Sequence, residues 1–426
     1  MAKLAINGGT PVAQLKTPSW PIHDEADRRR ILRVLESGSW SWMAEMETAF
    51  NEAWAAFTGS KHSLLVTNGT HALQLAYEAL DIGWGDEVLI PGSTWQATAA
   101  AALDVNAVPV LVDVELDTWC IDPAAAEAAI TPRTKAIAAV HLYGCMAEMD
   151  AIMEVARRHD LHVMEDCAHQ HGSVWRDRAV GTIGQMGTFS FQQTKVMTCG
   201  EGGSILVQDD QLYCRLDQLR NCGRWSPHFP EGEQRFLQSG NYRITEWQAA
   251  VLLGQLERLP EHLGRREASA KRLNHLLGNC PGVKPFKRHD GVTRQSYYAY
   301  GFRFLPEEWE DIDRSDFIRA LSAETGITFT SGYEPLNDTV LYRPHSKRRH
   351  RLHDGYWADI DPAAYQLPNT ERLAMREGVV TPHQTLLLDP SDMDHIVEAI
   401  HKIHSSQDDL RQSGHSQARV PHYWVS

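Results

Sequence analysis

Residues 186–207, MGTFSFQQTKVMTCGEGGSILV, carry the most structural information in the chain. A short apolar run from Met186 stops at Ser190, Lys195 follows in a loop, and Gly200, Gly202 and Gly203 allow tight turns into a second apolar run that ends at Val207. Strands that are apolar throughout, without polar alternation, are strands covered on both faces. Upstream, similar runs recur at 62–66, 87–90, 108–114, 136–142 and 161–164, separated by segments of helical period. Strands alternating with helices in this way predict an α/β unit built on a mostly parallel sheet.

On either side of that unit the pattern changes. Residues 1–38 read as an extended arm, with Gly8-Gly9 and Trp20-Pro21, followed by a helix in which Ile31, Leu32, Val34 and Leu35 repeat at helical spacing until Gly38. A second helix is expected over 43–57. After Trp247 come a long helix in two stretches, 246–259 and 265–277, a strand in YYAYGFRF, and helices near 314–325 and 391–404, which together make an α+β unit. The expected organisation is an arm and helix (1–38), a large domain (39–255), a smaller C-terminal α+β domain (256–405) and a loose polar tail (406–426) whose Tyr423 and Trp424 can dock on a neighbour. The basic run His345-Ser346-Lys347-Arg348-Arg349-His350-Arg351 reads as a solvated loop.

The 426 residues, 42% hydrophobic and 23% charged, have the composition of a folded globular protein, which excludes disorder, collagen and extended coiled coil for the whole chain. A net charge of −14 repels both a phosphate backbone and an anionic membrane, so neither is expected as a partner. The start, MAKLAINGGTPVAQLK, lacks the apolar core of a signal peptide, and no stretch approaches the ~18–20 apolar residues of a membrane span. Seven scattered cysteines without a CxxC pair argue against a disulfide framework and a structural zinc site, and fit a reducing cytoplasm.

Four local patterns bear on chemistry. In LLVTNGTHAL (64–73) a strand runs into Thr67-Asn68-Gly69-Thr70 and then a helix, so the N–H groups of Gly69 and Thr70 offer a seat for a phosphate, although an ordinary strand-to-helix turn looks the same. VMEDCAHQHG (163–172) puts Glu165-Asp166 at the carboxyl end of a strand, where open α/β sheets place ligand groups. Asp166 there is open to three readings: a solvated loop acid, a cofactor anchor for a protonated ring nitrogen, or, least of all, a metal ligand with His169 and His171. Trp95, in PGSTWQATAAA, can cover an aromatic ring or pack under a helix. Lys195, between apolar Phe191, Val196 and Met197, is either a surface lysine or a partly desolvated one, the state in which an amine is nucleophilic. An anion seat, an aromatic plate, an acid for a ring nitrogen and an imine-forming lysine are together the parts of a pyridoxal 5'-phosphate site. Gly181, Gly184 and Gly187 fail as a dinucleotide fingerprint, since their spacing is GxxGxxG and they lead into a strand.

With TNGTHAL, GDEVLIPGSTW, PVLVDVELDTWCIDP, AIAAVHLYG, EDCAHQHGS, FSFQQTKVMTCGEGG and GNYRITEWQAA the chain resembles, over nearly its whole length, the DegT/StrS family of pyridoxal-phosphate aminotransferases that act on keto-sugars and cyclic ketones. The resemblance implies a fold-type-I large domain with a mostly parallel seven-stranded sheet and a homodimer with active sites at the subunit interface. It assigns Lys195 to the cofactor aldehyde, Asp166 to the pyridine nitrogen, Trp95 to the ring face, His169 to the ring hydroxyl, and Gly69, Thr70 and Ser190 to the phosphate. Asn241, in Gly240-Asn241-Tyr242-Arg243, is implied as a phosphate ligand given to the neighbouring subunit. A narrower likeness, carried by DVELDTWCIDP, Gln192-Gln193 before Thr194-Lys195, and RQSYYAYGFRF, is to L-glutamine:scyllo-inosose and 2-deoxy-scyllo-inosose aminotransferases of aminocyclitol antibiotic biosynthesis. His169 is shared with 3-amino-5-hydroxybenzoate synthase, and Glu334 stands where sugar aminotransferases often carry histidine.

The expected activity is therefore transamination in two half-reactions, with L-glutamine (or L-glutamate) as amino donor and a cyclic ketone as acceptor, and with no metal. The alternatives are a nucleotide-linked keto-sugar as acceptor, with Arg348, Arg349 and Arg351 at the pocket rim; a 3-amino-5-hydroxybenzoate-synthase-like enzyme; a dehydratase of the family, against which Lys195 argues; and a non-catalytic cofactor-binding regulator, against which the intact pair Lys195 and Asp166 argues.

Overall fold

The computed structural model describes residues 3–229 and 236–412. Its centre is a seven-stranded sheet made of β1 (His62–Val66), β2 (Glu87–Pro91), β3 (Val108–Val112), β4 (Thr134–Val140), β5 (His162–Asp166), β6 (Met186–Ser190) and β7 (Gly203–Val207). Their order across the sheet is β1-β7-β6-β5-β4-β2-β3, and only β7 runs antiparallel to its neighbours. Each strand stands where its apolar run is, give or take two residues at an end.

The absence of alternation has its cause in the packing. Leu65, Leu89, Ile137, Val163 and Phe189 enter one buried cluster, while Leu64, Val88, Ala136, Met164 and Met186 enter a second on the opposite face. Period-2 side chains thus feed two cores, and water reaches neither face. The glycines that imitate a nucleotide fingerprint serve this packing. A Cβ on Gly187 would lie 2.0 Å from the Gly181 Cα, and one on Gly184 would lie 2.4 Å from the Val163 carbonyl oxygen. Over the same turn the buried Glu165 carboxylate accepts the N–H groups of Gly181 (2.8 Å), Ile183 (2.7 Å) and Gly184 (2.8 Å), with His141 Nε2 at 3.3 Å.

The C-terminal unit is a three-stranded antiparallel sheet, Val283–Pro285, Ala299–Phe304 and Gly378–Pro382, covered by helices Arg314–Thr325 and Met393–His404. It has its own apolar core, which includes Phe302, Phe304, Phe317 and Ile400. Helix Glu246–Leu277 joins the two units and corrects the expected break: it runs 32 residues without interruption, with Pro260 inside. A proline in a helix interior costs about 3 kcal/mol. Leu252, Leu256, Leu259 and Leu263 around it are buried, and at about 1.5–3 kcal/mol per buried side chain they offset that cost.

The tail expectation is corrected in part. Residues Gln407–Gln412 form a helix, Leu410 is buried, and Asp409 accepts the Leu4 N–H at 2.7 Å; Tyr423 and Trp424 lie outside the described residues. The N-terminal arm lies along the C-terminal unit: Leu4 belongs to its core, the Ala5 N–H donates to Glu324 Oε1 (2.8 Å), and the Leu15 N–H donates to the Thr325 carbonyl (2.9 Å). Among the described residues no helix is long and apolar enough to cross a membrane, and all seven cysteines are free.

Glu165→Ala removes the acceptor of three backbone N–H groups at once. At about 1–3 kcal/mol for each unsatisfied buried donor, the variant is expected to lose about 3 kcal/mol or more in denaturant unfolding. A loss below ~1 kcal/mol would show that these donors find other partners.

Candidate active site

The carboxyl ends of β1, β4, β5 and β6 open into one cavity of ≈ 760 Å³. It brings together Gly69, Thr70, Trp95, Asp166, His169, Ser190 and Lys195, residues spread over more than a quarter of the chain. Asn241 is the predicted site residue that does not line it: its side chain is exposed, in a segment held by the Asn221 bridge and by the bond from the Thr67 N–H to the Tyr242 carbonyl (3.0 Å).

At one end, helix Gly69–Ala79 starts against the last residue of β6. Asn68 caps it, accepting the His71 N–H at 2.9 Å, which leaves the Gly69 and Thr70 amides facing the cavity. Glycine is required at the contact, since a Cβ on Gly69 would stand 2.7 Å from the Ser190 Cβ. Gly203, at the start of β7, lets the same turn pass on its other side, where a Cβ would meet the Asn68 carbonyl carbon at 2.5 Å. Two amides at a helix start beside a serine hydroxyl are a seat for a phosphate-sized anion.

In the floor, Asp166 is 6% exposed. Its Oδ2 accepts from the Thr98 hydroxyl at 2.8 Å and its Oδ1 from the Ala168 N–H at 3.2 Å. Burial pushes this carboxyl above its ordinary range, against the opposing pull of those two donors and of Lys195. The group is short of a cation. His169 stacks on Tyr298 with centroids 3.9 Å apart and accepts the Tyr143 N–H at Nδ1 (3.1 Å). Burial, followed by the charge of Lys195, holds its pKa well below the usual histidine value. The ring is therefore neutral with its proton on Nε2, a donor 3.5 Å from the Tyr333 hydroxyl.

Lys195 is 8% exposed. Its N–H closes a turn onto the Gln192 carbonyl (2.9 Å), and its Nζ lies 4.1 Å from the centre of the Tyr298 ring. Tyr298 is tied to the neighbouring residue through its hydroxyl and Thr194 Oγ1 (2.9 Å). Trp95, half-buried, faces Tyr333 at 5.7 Å. Sequence reading missed Thr98, Tyr298 and Tyr333. Thr98 had a signal, one helical turn beyond Trp95. Tyr298 stands in RQSYYAYGFRF, already singled out, and Tyr333 stands beside Glu334, but nothing local marks them as cavity residues.

Asp166, His169 and His171 do not converge as metal ligands. His169 Nδ1 is used as above, and His171 Nε2 donates to the Ser190 carbonyl (2.8 Å). Among the described residues the one group with converging ligand atoms is His141, Glu165 and Cys167, and there the Glu165 oxygens are already taken by backbone N–H groups. The basic run lies apart from the cavity: Arg349 pairs with Asp104, and Arg351 stacks over Trp357 at 5.9 Å.

The pattern of the DegT/DnrJ/EryC1/StrS aminotransferase family matches residues 21–401. The chain belongs to this family. It is an aminotransferase dependent on pyridoxal 5'-phosphate. A family member from Streptoalloteichus tenebrarius, provisionally named L-glutamine:3-amino-2,3-dideoxy-scyllo-inosose aminotransferase, is 43% identical, with 96% of this chain and 100% of that protein covered. The L-glutamine:2-deoxy-scyllo-inosose aminotransferase of the same organism is 40% identical over 96% of this chain and 99% of its own length. Among solved structures, 3-amino-5-hydroxybenzoic acid synthase superposes with a TM-score of 0.79 at 32% identity, covering 93% of this chain and 99% of that one. The residues present fit the family cofactor: the glycine contact that a Cβ would fill suits its phosphate, and the buried, cation-poor Asp166 suits its ring nitrogen.

A pH prediction follows from Asp166. Burial holds its folded-state pKa above the ordinary aspartate value, so the folded cofactor-free chain holds this proton to higher pH than the unfolded chain does. Stability from this group is present at low pH and is lost as pH rises through that window. Cofactor-free Asp166→Asn is therefore expected to be more stable than the parent at neutral pH, with the difference vanishing in acid. Urea unfolding across pH checks this, and a variant less stable at neutral pH would contradict it.

Proposed function

We propose that the chain transfers the amino group of L-glutamine to a cyclitol ketone of the scyllo-inosose type, as a step in aminocyclitol antibiotic formation. The observation that carries this reading is the full-length likeness, at 43% and 40% identity, to proteins named for that donor and such acceptors. The cavity agrees with it, because beside Asp166, Lys195 and Glu201 its wall carries uncharged hydrogen-bonding groups, including Gln192, Thr194, Tyr298 and Tyr333, which suit a polyhydroxylated ring. Among the described residues no arginine lines it, whereas a nucleotide-linked sugar brings a diphosphate that needs cations.

Bound pyridoxal phosphate supplies an electron-withdrawing ring that stabilises negative charge on the carbon bearing the amine. The amides of Gly69 and Thr70 and the Ser190 hydroxyl would hold the phosphate. Asp166, oriented by Thr98, would keep the ring nitrogen protonated. The His169 Nε2–H would donate to the ring hydroxyl, and Trp95 would cover the ring. The Lys195 amine would anchor the cofactor and serve as the group that moves the proton at the substrate carbon. The same site serves donor and acceptor in turn, so ping-pong kinetics are expected.

Asn241 contributes to the site of a second subunit, and the chain works as a homodimer. Exposed Leu32, Leu35, Trp40 and Met43 beside the arm supply apolar surface for such an interface. Seven free cysteines suit a reducing cytoplasm.

Lys195→Ala is expected to bleach the visible cofactor band and abolish turnover with the fold retained by circular dichroism. With the parent enzyme and L-glutamine, scyllo-inosose or its 2-deoxy analogue should be aminated at least ~100-fold more efficiently than a nucleotide keto-sugar, about 2.7 kcal/mol in transition-state binding. The reverse preference defeats the acceptor assignment. Mixing Lys195→Ala with Asn241→Ala subunits should restore part of the activity that each lacks, and no restoration would mean a site contained in one chain.

A further inference from the structure

Lys195 is held at its backbone by a residue 175 positions away. The indole Nε1–H of Trp20 donates to the Lys195 carbonyl at 3.1 Å, while the Lys195 N–H is already used by the turn onto Gln192. Both polar groups of the lysine's backbone are thus fixed, and its side chain leaves them as a tether with four free torsions. Trp20 is itself boxed in. The His383 ring meets it edge-on at 4.6 Å, His262 lies at 5.9 Å, and the guanidinium of the fully buried Arg266 stands 5.3 Å from its ring. Two residues on, the Ile22 carbonyl accepts the Gln255 Nε2–H at 2.8 Å, pinning the arm to the long helix.

We propose that Trp20 is a positioning residue for the transamination, acting through its indole N–H on the Lys195 carbonyl to fix the pivot about which the lysine amine moves. The inference rests on the reading of Lys195 as the cofactor-linked amine. Lys195 has to deliver its Nζ both to the cofactor and to the substrate carbon, and proton transfer requires a placement within hydrogen-bond reach. An unanchored loop carbonyl would let the whole peptide rotate, and the amine would sample positions from which neither step occurs. The contact bears on the rate of those steps and leaves substrate binding alone, because Trp20 does not line the cavity.

The test compares the holoenzymes of the parent, Trp20→Phe, Gln255→Met and Lys195→Ala. Phenylalanine keeps an aromatic ring against His383 and Arg266 but cannot donate; Gln255→Met loosens the arm without touching the Lys195 carbonyl. Loss of one hydrogen bond of about 1 kcal/mol corresponds to a roughly fivefold to tenfold change in rate. Trp20→Phe is expected to slow the single-turnover loss of visible absorbance with L-glutamine, and the return of that absorbance when pyridoxal phosphate is added to stripped enzyme, by that factor. KM for L-glutamine and the thermal midpoint should stay close to the parent's. Gln255→Met should keep parental rates. Parental rates in Trp20→Phe, or an equal slowing in Gln255→Met, overturn the inference while leaving Lys195 in its role. A visible band retained in Lys195→Ala overturns that role and the inference with it.

Discussion

Two adjacent carboxylates at the end of β5 face opposite ways, and much of the active centre depends on how differently they are satisfied. Strand geometry sends Glu165 and Asp166 to opposite sides of the sheet. Glu165 meets three backbone amides and a histidine, which bind the 181–184 turn to the strand and make the acid part of the scaffold. Asp166 receives one hydroxyl and one amide, and its burial remains uncompensated. A carboxylate in that condition attracts a protonated heterocycle strongly, which is the property that the proposed role of Asp166 draws on.

The rest of the centre is assembled by close backbone approach. Inserting antiparallel β7 between β1 and β6 carries the Thr67–Thr70 turn against Ser190, and glycines at 69 and 203 make the approach possible from both sides. The lysine loop between β6 and β7 then lies beneath residues from elsewhere: Tyr298 from the C-terminal unit under the amine, and Trp20 from the arm at the carbonyl.

The strands and the cavity residues next to them were legible because both are local. An unbroken apolar run marks a doubly covered strand, and chemistry in open α/β sheets sits just past the strand ends, where Gly69, Trp95, Asp166 and Ser190 were found. Contacts between distant segments were not legible. Tyr298, Tyr333 and Trp20 reach the site through tertiary packing that no spacing encodes. The helix through Pro260 was misread because a local penalty was outweighed by leucines packing elsewhere, and the helix at 407–412 because its one buried leucine joins the core of the C-terminal unit and its Asp409 binds the Leu4 N–H, contacts that no local pattern encodes.

That last contact also orders events in time. Residues 4–15 bind to Glu324, Thr325 and Asp409, so during synthesis from the amino end this segment has no docking surface until the C-terminal unit has emerged. The sheet, the turn at Gly69 and the loop around Lys195 can form before then, whereas the arm that carries the indole contact to Lys195 is fastened afterwards. Closure of the arm over the Lys195 loop is in this way coupled to the appearance of the C-terminal unit.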